Sequence, residues 1–177
     1  MANPHNPSQD KLRWIESAGC PFIIVNSLQA HGWRGVEGED YEAACLVEDY
    51  LCRVDVGLRG SGIVVADEPL PATFLPELSC VLQWSYAESD QILIDGAKKS
   101  FADIEDWEPG PIIDATGELV MFDASIPGGS LAQDDILSIS LRPGTYQFST
   151  ADFEVDEETA GRLHSIRALR SSDPAAV

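Results

Sequence analysis

Apolar and polar residues alternate along much of the chain with the two-residue period of β-strands. The clearest case is the stretch 80–86, where Leu82, Trp84 and Tyr86 lie on one face and Gln83 on the other. Strand-sized apolar runs also occur without alternation. Together these patterns predict about eight short strands, at residues 21–26, 50–56, 63–65, 80–86, 112–113, 119–122, 136–141 and 145–153.

Turn residues between some of these strands predict hairpins. The glycine-rich stretch 57–62 lies between two predicted strands and should join them as a hairpin. Pro143 and Gly144 stand in the same position between strands 136–141 and 145–153. Because proline and glycine favour tight turns, we expect this second hairpin to be the best-defined feature of the chain.

One segment has the four-residue spacing of an amphipathic helix. Ser89 is a suitable N-terminal cap, and the helix is predicted over about residues 89–104. Gly96 weakens it, because glycine has a low helix propensity. Its buried stripe consists of Leu93, Ala97 and Phe101.

The segment 159–169 is compatible with two structures. Leu163, Ile166 and Leu169 are three residues apart, which suggests a helix, but a strand remains possible. The chain as a whole is predicted to be α+β and mostly β. We expect a curved antiparallel sheet or a sandwich with one main helix. A single domain is expected over residues 12–170, with flexible termini at 1–11 and 171–177.

Composition indicates a cytoplasmic protein. No apolar run approaches the ~20 residues that a membrane-spanning helix needs, and the polar N-terminus has no apolar stretch of a secretion signal. The four cysteines have neither disulfide-framework nor zinc-site spacing. We therefore expect reduced, buried thiols.

Net charge narrows the class of partner that the protein can bind. Thirty acidic and eleven basic residues give a net charge of −19. Residues 100–161 contain fourteen acidic residues and a single base, Arg142, so this stretch alone carries −13. Such a charge repels nucleic acid and anionic membranes and attracts cationic partners. Acidity could also serve solubility alone, but its concentration in one stretch favours a partner with a basic surface.

Catalytic signatures are weak. The sequence contains no nucleophile elbow, no phosphate-binding loop and no paired metal-binding histidines. A Cys20–His31 pair could meet in space, although a surface or hydrogen-bonding histidine is the more ordinary interpretation. The acidic run 152–158 lacks the glycine and the terminal glutamate of a calcium loop. We therefore expect no catalytic residue, no metal and no cofactor.

The acidic stretch supplies the candidate partner-binding residues. Trp107 stands among carboxylates and precedes Pro109 and Gly110, so it is either an exposed interface anchor or a plug at the edge of a sheet. The predicted binding residues are Asp103, Glu105, Asp106, Trp107, Glu108, Asp152, Glu154, Asp156 and Glu157.

Several short motifs follow one another in an order that resembles a known family. The chain opens with Trp14-Ile-Glu-Ser-Ala-Gly-Cys-Pro21, in which Cys20 stands where a second glycine is usual. Val54-Asp-Val-Gly57, Pro143-Gly-Thr-Tyr146 and Asp156-Glu-Glu-Thr159 follow at matching positions. The chain resembles the bacterial immunity-protein family catalogued as number twenty-one, from about residue 14 to residue 169.

This resemblance implies a cytoplasmic antidote that binds the cognate toxin domain of a polymorphic toxin system. It carries over no catalytic residue, and it is compatible with a monomer or weak dimer. The charge adds the hypothesis that the toxin is a nuclease, whose phosphate-binding site is positive. Two alternatives remain open: an acidic binding module that regulates another host protein, and a carboxylate- or metal-dependent hydrolase.

Overall fold

Two antiparallel β-sheets lie face to face in the computed structural model, which describes residues 12–169. Within these residues there are eleven strands: β1 (Trp14–Ile15), β2 (Phe22–Asn26), β3 (Leu51–Val56), β4 (Gly60–Val65), β5 (Ala72–Leu75), β6 (Cys80–Tyr86), β7 (Glu108–Ala115), β8 (Leu119–Asp123), β9 (Leu137–Ile139), β10 (Gly144–Asp156) and β11 (Thr159–Ala168). The termini predicted to be flexible, 1–11 and 171–177, lie outside the described residues.

Along two sides of the sandwich, a strand of one sheet lies against strands of the other. The first sheet has the order β1-β5-β6-β11-β10-β7, and the second has the order β3-β4-β2-β8-β9. Edge strand β7 of the first sheet lies against β3 and β4 of the second, whereas β9 lies against β5. Of the two predicted architectures, the sandwich is therefore the one observed.

Alternation along each strand sorts the apolar side chains into separate layers. On β2, Phe22 and Ile24 point into the core between the sheets, while Ile23 and Val25 point to the outer face of the second sheet. That outer face is covered by Trp33, by helix α1 (Asp40–Cys45) and by nearby loops. The described residues also contain four short 3₁₀ segments in connections between strands: Ser27–Gly32, Gly35–Glu37, Pro76–Leu78 and Gln133–Asp135.

Helix α2 (Asp90–Phe101) covers the outer face of the first sheet. The Ser89 hydroxyl accepts a hydrogen bond from the backbone N–H of Ile92 at 3.4 Å, as expected for an N-terminal cap. The predicted helix over residues 89–104 is confirmed, although it is shorter. Of the predicted stripe, Leu93 and Ala97 are fully buried, whereas Phe101 is partly buried against the same cluster.

The strand inventory differs from the prediction in number and length. Eleven strands replace the expected eight, and β10 and β11 contain 13 and 10 residues. The ambiguous segment 159–169 is a strand. Its side chains are buried on both faces, with Leu163 against α2 and Ile166 between the sheets. In such a strand polar and apolar residues do not alternate, and for this reason its sequence resembles that of a helix.

The hairpin predicted between 136–141 and 145–153 is wrong. Strand β9 pairs with β8 in the second sheet, while β10 pairs with β7 and β11 in the first. Pro143 and Gly144 carry the chain from one sheet to the other, and the Tyr146 hydroxyl fixes this passage by donating to the carbonyl of Arg142 at 2.8 Å. The long hairpin of the fold is instead β10–β11, with Glu157 and Glu158 at its turn.

The other predicted hairpin is confirmed. Strands β3 and β4 pair from Leu51 opposite Val65 to Val56 opposite Gly60. Gly57 takes a positive φ of 59° in the turn, a conformation that glycine adopts at little cost.

Among the described residues, no helix is both long enough and apolar enough to cross a bilayer.

Candidate binding surface

The sandwich has two ends that differ in chemistry. At one end lie the connection 102–107, the start of β7, the β10–β11 turn and the end of β6; we call this the acidic end. At the other end lie Asn26, the β7–β8 connection and the β3–β4 turn; we call this the Asn26 end. Strand registers define both ends, since Glu108 lies opposite Thr150 while Ala115 lies opposite Gly144.

The acidic end brings together the two groups of predicted binding residues. Asp152 is two residues beyond Thr150, the residue opposite Glu108. Asp103 shares a groove of about 370 Å³ with Asp152 and Glu154. Every predicted carboxylate in both groups belongs to an exposed residue. Carboxylates 49 and 51 positions apart in sequence therefore line one surface.

Asp152 is the exception within this surface, because it is already neutralised. Its two carboxylate oxygens accept hydrogen bonds from Nε and Nη2 of Arg162 at 2.6 and 3.3 Å. The same guanidinium donates from Nη1 to Asp67 at 2.6 Å. Arg162 thereby links the first sheet to Asp67, two residues beyond β4 of the second sheet. Asp152 has a structural role that the sequence did not indicate.

The environment of Arg162 keeps it charged. Burial disfavours the charged form, but the hydrogen bonds that Arg162 donates to Asp152 and Asp67 outweigh it and raise the pKa of the guanidinium. Its central carbon also lies 4.1 Å from the centre of the Tyr50 ring, a cation–π arrangement. One cation between two anions leaves this cluster with a net charge of −1, so the acidic end remains negative.

Trp107 is half-buried and held in place by neighbours. Its ring packs edge-on against Phe101 with ring centres 5.3 Å apart, and its Nε1 donates to the carbonyl of Ile104 at 3.2 Å. The guanidinium of Arg167 lies 5.5 Å from the ring centre. These contacts fasten the connection 102–107 to the end of α2. The part of Trp107 in partner binding stays a prediction.

Sequence comparison identifies the family of the chain. The profile of the family described as Immunity protein 21 matches residues 13–159. The chain belongs to this family. The match confirms the resemblance drawn from the motifs, and membership indicates an immunity protein of a toxin system. No curated protein and no solved structure matches the chain.

Not every acidic residue in the stretch 100–161 of this immunity protein contributes to the acidic end. Asp123 is buried, and it accepts hydrogen bonds from Ser17, Ser125 and the backbone N–H of Ala18, with distances between 2.7 and 3.0 Å. Burial disfavours its charge, yet these bonds lower the pKa of the carboxyl group below its usual value. Four others lie elsewhere, either at the Asn26 end or beside β9: Asp114, Glu118, Asp134 and Asp135.

The opening motif of the family, residues 14–21, contacts Asp123. Besides its bond to Asp123, the Ser17 hydroxyl pairs with the backbone of Cys20, whose N–H and carbonyl lie 2.8 and 2.7 Å away. The motif therefore fastens the loop before β2 to the end of β8. This role belongs to the fold.

The candidate catalytic residues do not form a reactive pair. The thiol of Cys20 lies 3.2 Å from the hydroxyl of Tyr41 and has no hydrogen bond to His31 in the described part of the chain. His164 is completely buried, with its ring nitrogens 2.8 Å from Thr150 and from Gln83. Burial, assisted by the charge of Arg162, lowers the pKa of His164 to about 3. Within residues 12–169, no three His, Cys, Asp or Glu side chains form a potential metal site.

Proposed function

We propose that this protein is a cytoplasmic immunity protein that binds a cognate toxin domain and neutralises it through the acidic end. The toxin presents a basic surface to this end, and inhibition follows from occupation of that surface without any catalytic step. The immunity protein acts as a monomer or weak dimer, and it needs no metal or cofactor.

One observation carries the proposal: the acidic end gathers nine of the fourteen carboxylates in residues 100–161. They are Asp103, Glu105, Asp106, Glu108, Asp152, Glu154, Asp156, Glu157 and Glu158. Among nearby cations, Arg162 is already shared by two carboxylates. Lys99 lines the groove, Arg53 shares a pocket with Glu108, and Arg167 lies beside Trp107. Within residues 12–169, these four cations are too few to neutralise nine carboxylates.

Such a surface supports fast capture of a cationic partner. Like-charged groups at one end of a small protein produce a field that attracts an oppositely charged surface and raises the association rate. The cost is mutual repulsion between these groups in the free protein. A partner that supplies lysine and arginine side chains relieves this repulsion on binding. Membership of an immunity-protein family supports a toxin as this partner.

We further propose that the toxin is a nuclease. A nuclease binds its substrate through phosphates, so the surface around its active site is positive. An acidic protein that covers this surface excludes the nucleic acid directly. The same negative field prevents the immunity protein from binding nucleic acid itself.

The test is co-expression of this chain with the toxin domain encoded beside its gene. We expect growth to be restored and the two proteins to purify together. A variant with Glu154→Gln, Asp156→Asn and Glu157→Gln should lose protection. The matched control removes three charges away from the acidic end, with Glu118→Gln, Asp134→Asn and Asp135→Asn, and should protect normally. Absence of both rescue and complex would refute the proposed function.

Salt dependence tests the electrostatic part separately. The association rate should fall steeply between low and high ionic strength, because exposed charges are screened over about 10 Å at 0.1 M salt. The triple control variant should show the same slope as the unaltered protein, and the acidic-end variant a shallower one. An association rate that hardly changes with salt would remove the electrostatic account while leaving the immunity function intact.

A further inference from the structure

Three partly exposed apolar side chains lie at the acidic end, on three different elements. Tyr86 ends β6, Ile92 lies in the first turns of α2, and Val155 is near the end of β10. Their exposed fractions are 44, 42 and 41%. We call these three residues the apolar patch.

Close packing between α2 and the β10–β11 hairpin assembles the apolar patch. A methyl group added at Gly96 would lie 2.9 Å from Val155 Cγ2 and 3.5 Å from Thr159 Cγ2, so the helix rests directly on the hairpin. Ile92 is one helical turn before Gly96 and shares its face. Tyr86 lies opposite Ala160, the neighbour of Thr159, in the β6–β11 pair. The three side chains therefore surround a single junction.

Carboxylates surround this junction. Glu154 and Asp156 flank Val155 in the chain, and Asp95 lies three residues after Ile92 on the helix. Glu88 stands between Tyr86 and the helix, and all four acidic residues are exposed. An apolar centre within a polar, charged rim is the usual anatomy of a protein–protein interface. The rim also makes an anionic membrane or a nucleic acid an unfavourable occupant.

Trp107, the anchor considered from the sequence, is less suited to this role. Its ring is packed against Phe101 and its indole N–H is bonded to Ile104, so both its apolar and polar parts are engaged within the chain. The patch side chains leave about two-fifths of their surface open. Apolar surface that becomes buried on binding is the main source of affinity at the centre of an interface.

We propose that the apolar patch is the energetic centre of the toxin interface and that the surrounding carboxylates form its rim. Its occupant is a surface of the toxin with an apolar side chain at the centre of a ring of lysine and arginine. This inference rests on the proposed function, and it adds to it the part of the acidic end that determines affinity. The rim governs the association rate, whereas the patch governs dissociation.

The test measures binding of the purified toxin domain encoded beside the gene, in an inactivated form, to two patch variants. Ile92→Gln keeps the helix propensity and part of the side-chain stem, and Val155→Thr keeps the branched shape suited to a strand. We expect each to weaken binding about tenfold or more, as at interface hot spots. Most of the change should be in the dissociation rate, with the salt dependence of association unchanged.

Leu58→Gln is the matched control. Leu58 lies in the β3–β4 turn at the Asn26 end, and its side chain is fully exposed at 103%. If this variant weakens binding as much as Ile92→Gln, or if both patch variants bind within twofold of the unaltered chain, the inference is overturned while the immunity function stands. If the unaltered chain neither protects nor binds, the proposed function and this inference fail together. Unchanged melting temperatures establish that each variant is folded.

Discussion

The two ends of the sandwich connect the same pair of sheets by different chemistry. At the Asn26 end, the nearly buried Asn26 accepts from the backbone N–H and the hydroxyl of Thr116 at 2.8 and 3.0 Å, and it donates to the carbonyl of Asp114 at 3.1 Å. At the acidic end, Arg162 connects Asp152 and Asp67. The first link is neutral; the second depends on three charges.

This difference separates a structural end from a responsive one. A neutral network of hydrogen bonds is unaffected by ionic strength and holds over a wide range of pH. A charged cluster with half-exposed carboxylates changes with both, and so does the field that it presents to a partner. We infer that the acidic end is sensitive to ionic strength and pH because the same charges are needed for binding. The predictions below test this comparison.

Removing the charge at the centre of the acidic end should have the largest effect. Arg162→Ala leaves Asp152 and Asp67 facing each other without a cation. A broken buried ion pair costs about 3–5 kcal/mol, but these carboxylates are 58 and 44% exposed and can be rehydrated. We therefore expect a loss of about 2–4 kcal/mol in the free energy of unfolding, measured by urea denaturation.

The salt dependence of that loss identifies its cause. The destabilisation in Arg162→Ala should shrink at high salt, because screening weakens the repulsion between the two carboxylates. Arg162→Lys should lie between the variant and the unaltered protein, since an ammonium group cannot bond both carboxylates with the geometry of a guanidinium. A destabilisation that is independent of salt would indicate lost packing against Tyr50 instead of lost charge.

His164 should make the stability of the protein depend on pH. Its pKa is about 3 in the folded protein and 6.5 as the ordinary value, because burial, and then the charge of Arg162, disfavours protonation. The unfolded chain therefore binds a proton that the folded chain does not. The contribution of His164 is complete above pH 6.5 and is lost progressively as the pH falls towards 3. Between pH 6.5 and about 4.5, unfolding free energy should fall by about 2–3 kcal/mol.

Two histidine variants isolate this contribution. His164→Gln should flatten the pH dependence between about 4.5 and 6.5, whatever its cost in stability at neutral pH. His31→Gln replaces an exposed histidine and should keep the full slope. Carboxyl groups with a lowered pKa, such as Asp123, add their own loss only at lower pH. An unchanged slope in His164→Gln would show that another group is responsible.

Breaking the neutral link at the Asn26 end should cost less stability than Arg162→Ala, and the cost should not depend on salt. Asn26→Ala removes three hydrogen bonds made by a buried side chain. Each such bond contributes about 0.5–1.5 kcal/mol, and the exposed Thr116 can bond water in place of Asn26. We expect a loss of about 2 kcal/mol in urea denaturation that is the same at low and high salt. A salt-dependent loss would contradict the contrast between the two ends.

The sequence predicted the strands better than their partners. Alternation identified most strands and the β3–β4 hairpin, because both depend on neighbouring residues. The sheet to which β9 and β10 belong depends instead on contacts with β8, β7 and β11, far away in the sequence. Pro143 and Gly144 favour a turn but do not determine whether the chain stays in its sheet. The predicted hairpin at this point failed for that reason.

The candidate site was predictable to a similar extent. Most acidic residues in 100–161 are exposed, since charged side chains are rarely buried alone, and their part in binding stays a prediction. The sequence does not reveal which carboxylates are internally satisfied, because Asp152 and Asp123 have partners that only the fold brings near. The apolar patch was equally hidden, as its three residues come from separate elements.

The smallest predicted effect tests the junction between α2 and the hairpin at the acidic end. Alanine favours a helix over glycine by about 1 kcal/mol, yet a methyl group at Gly96 would lie 2.9 Å from Val155 Cγ2. Val155 can shift because it is partly exposed, so the gain and the strain should nearly cancel. We expect Gly96→Ala to change the free energy of unfolding by less than about 1 kcal/mol. In a Val155→Ala background the strain is absent, and the same substitution should stabilise by nearly the full amount. Equal effects in both backgrounds would show that α2 does not rest on Val155, and the apolar patch would lose its structural basis.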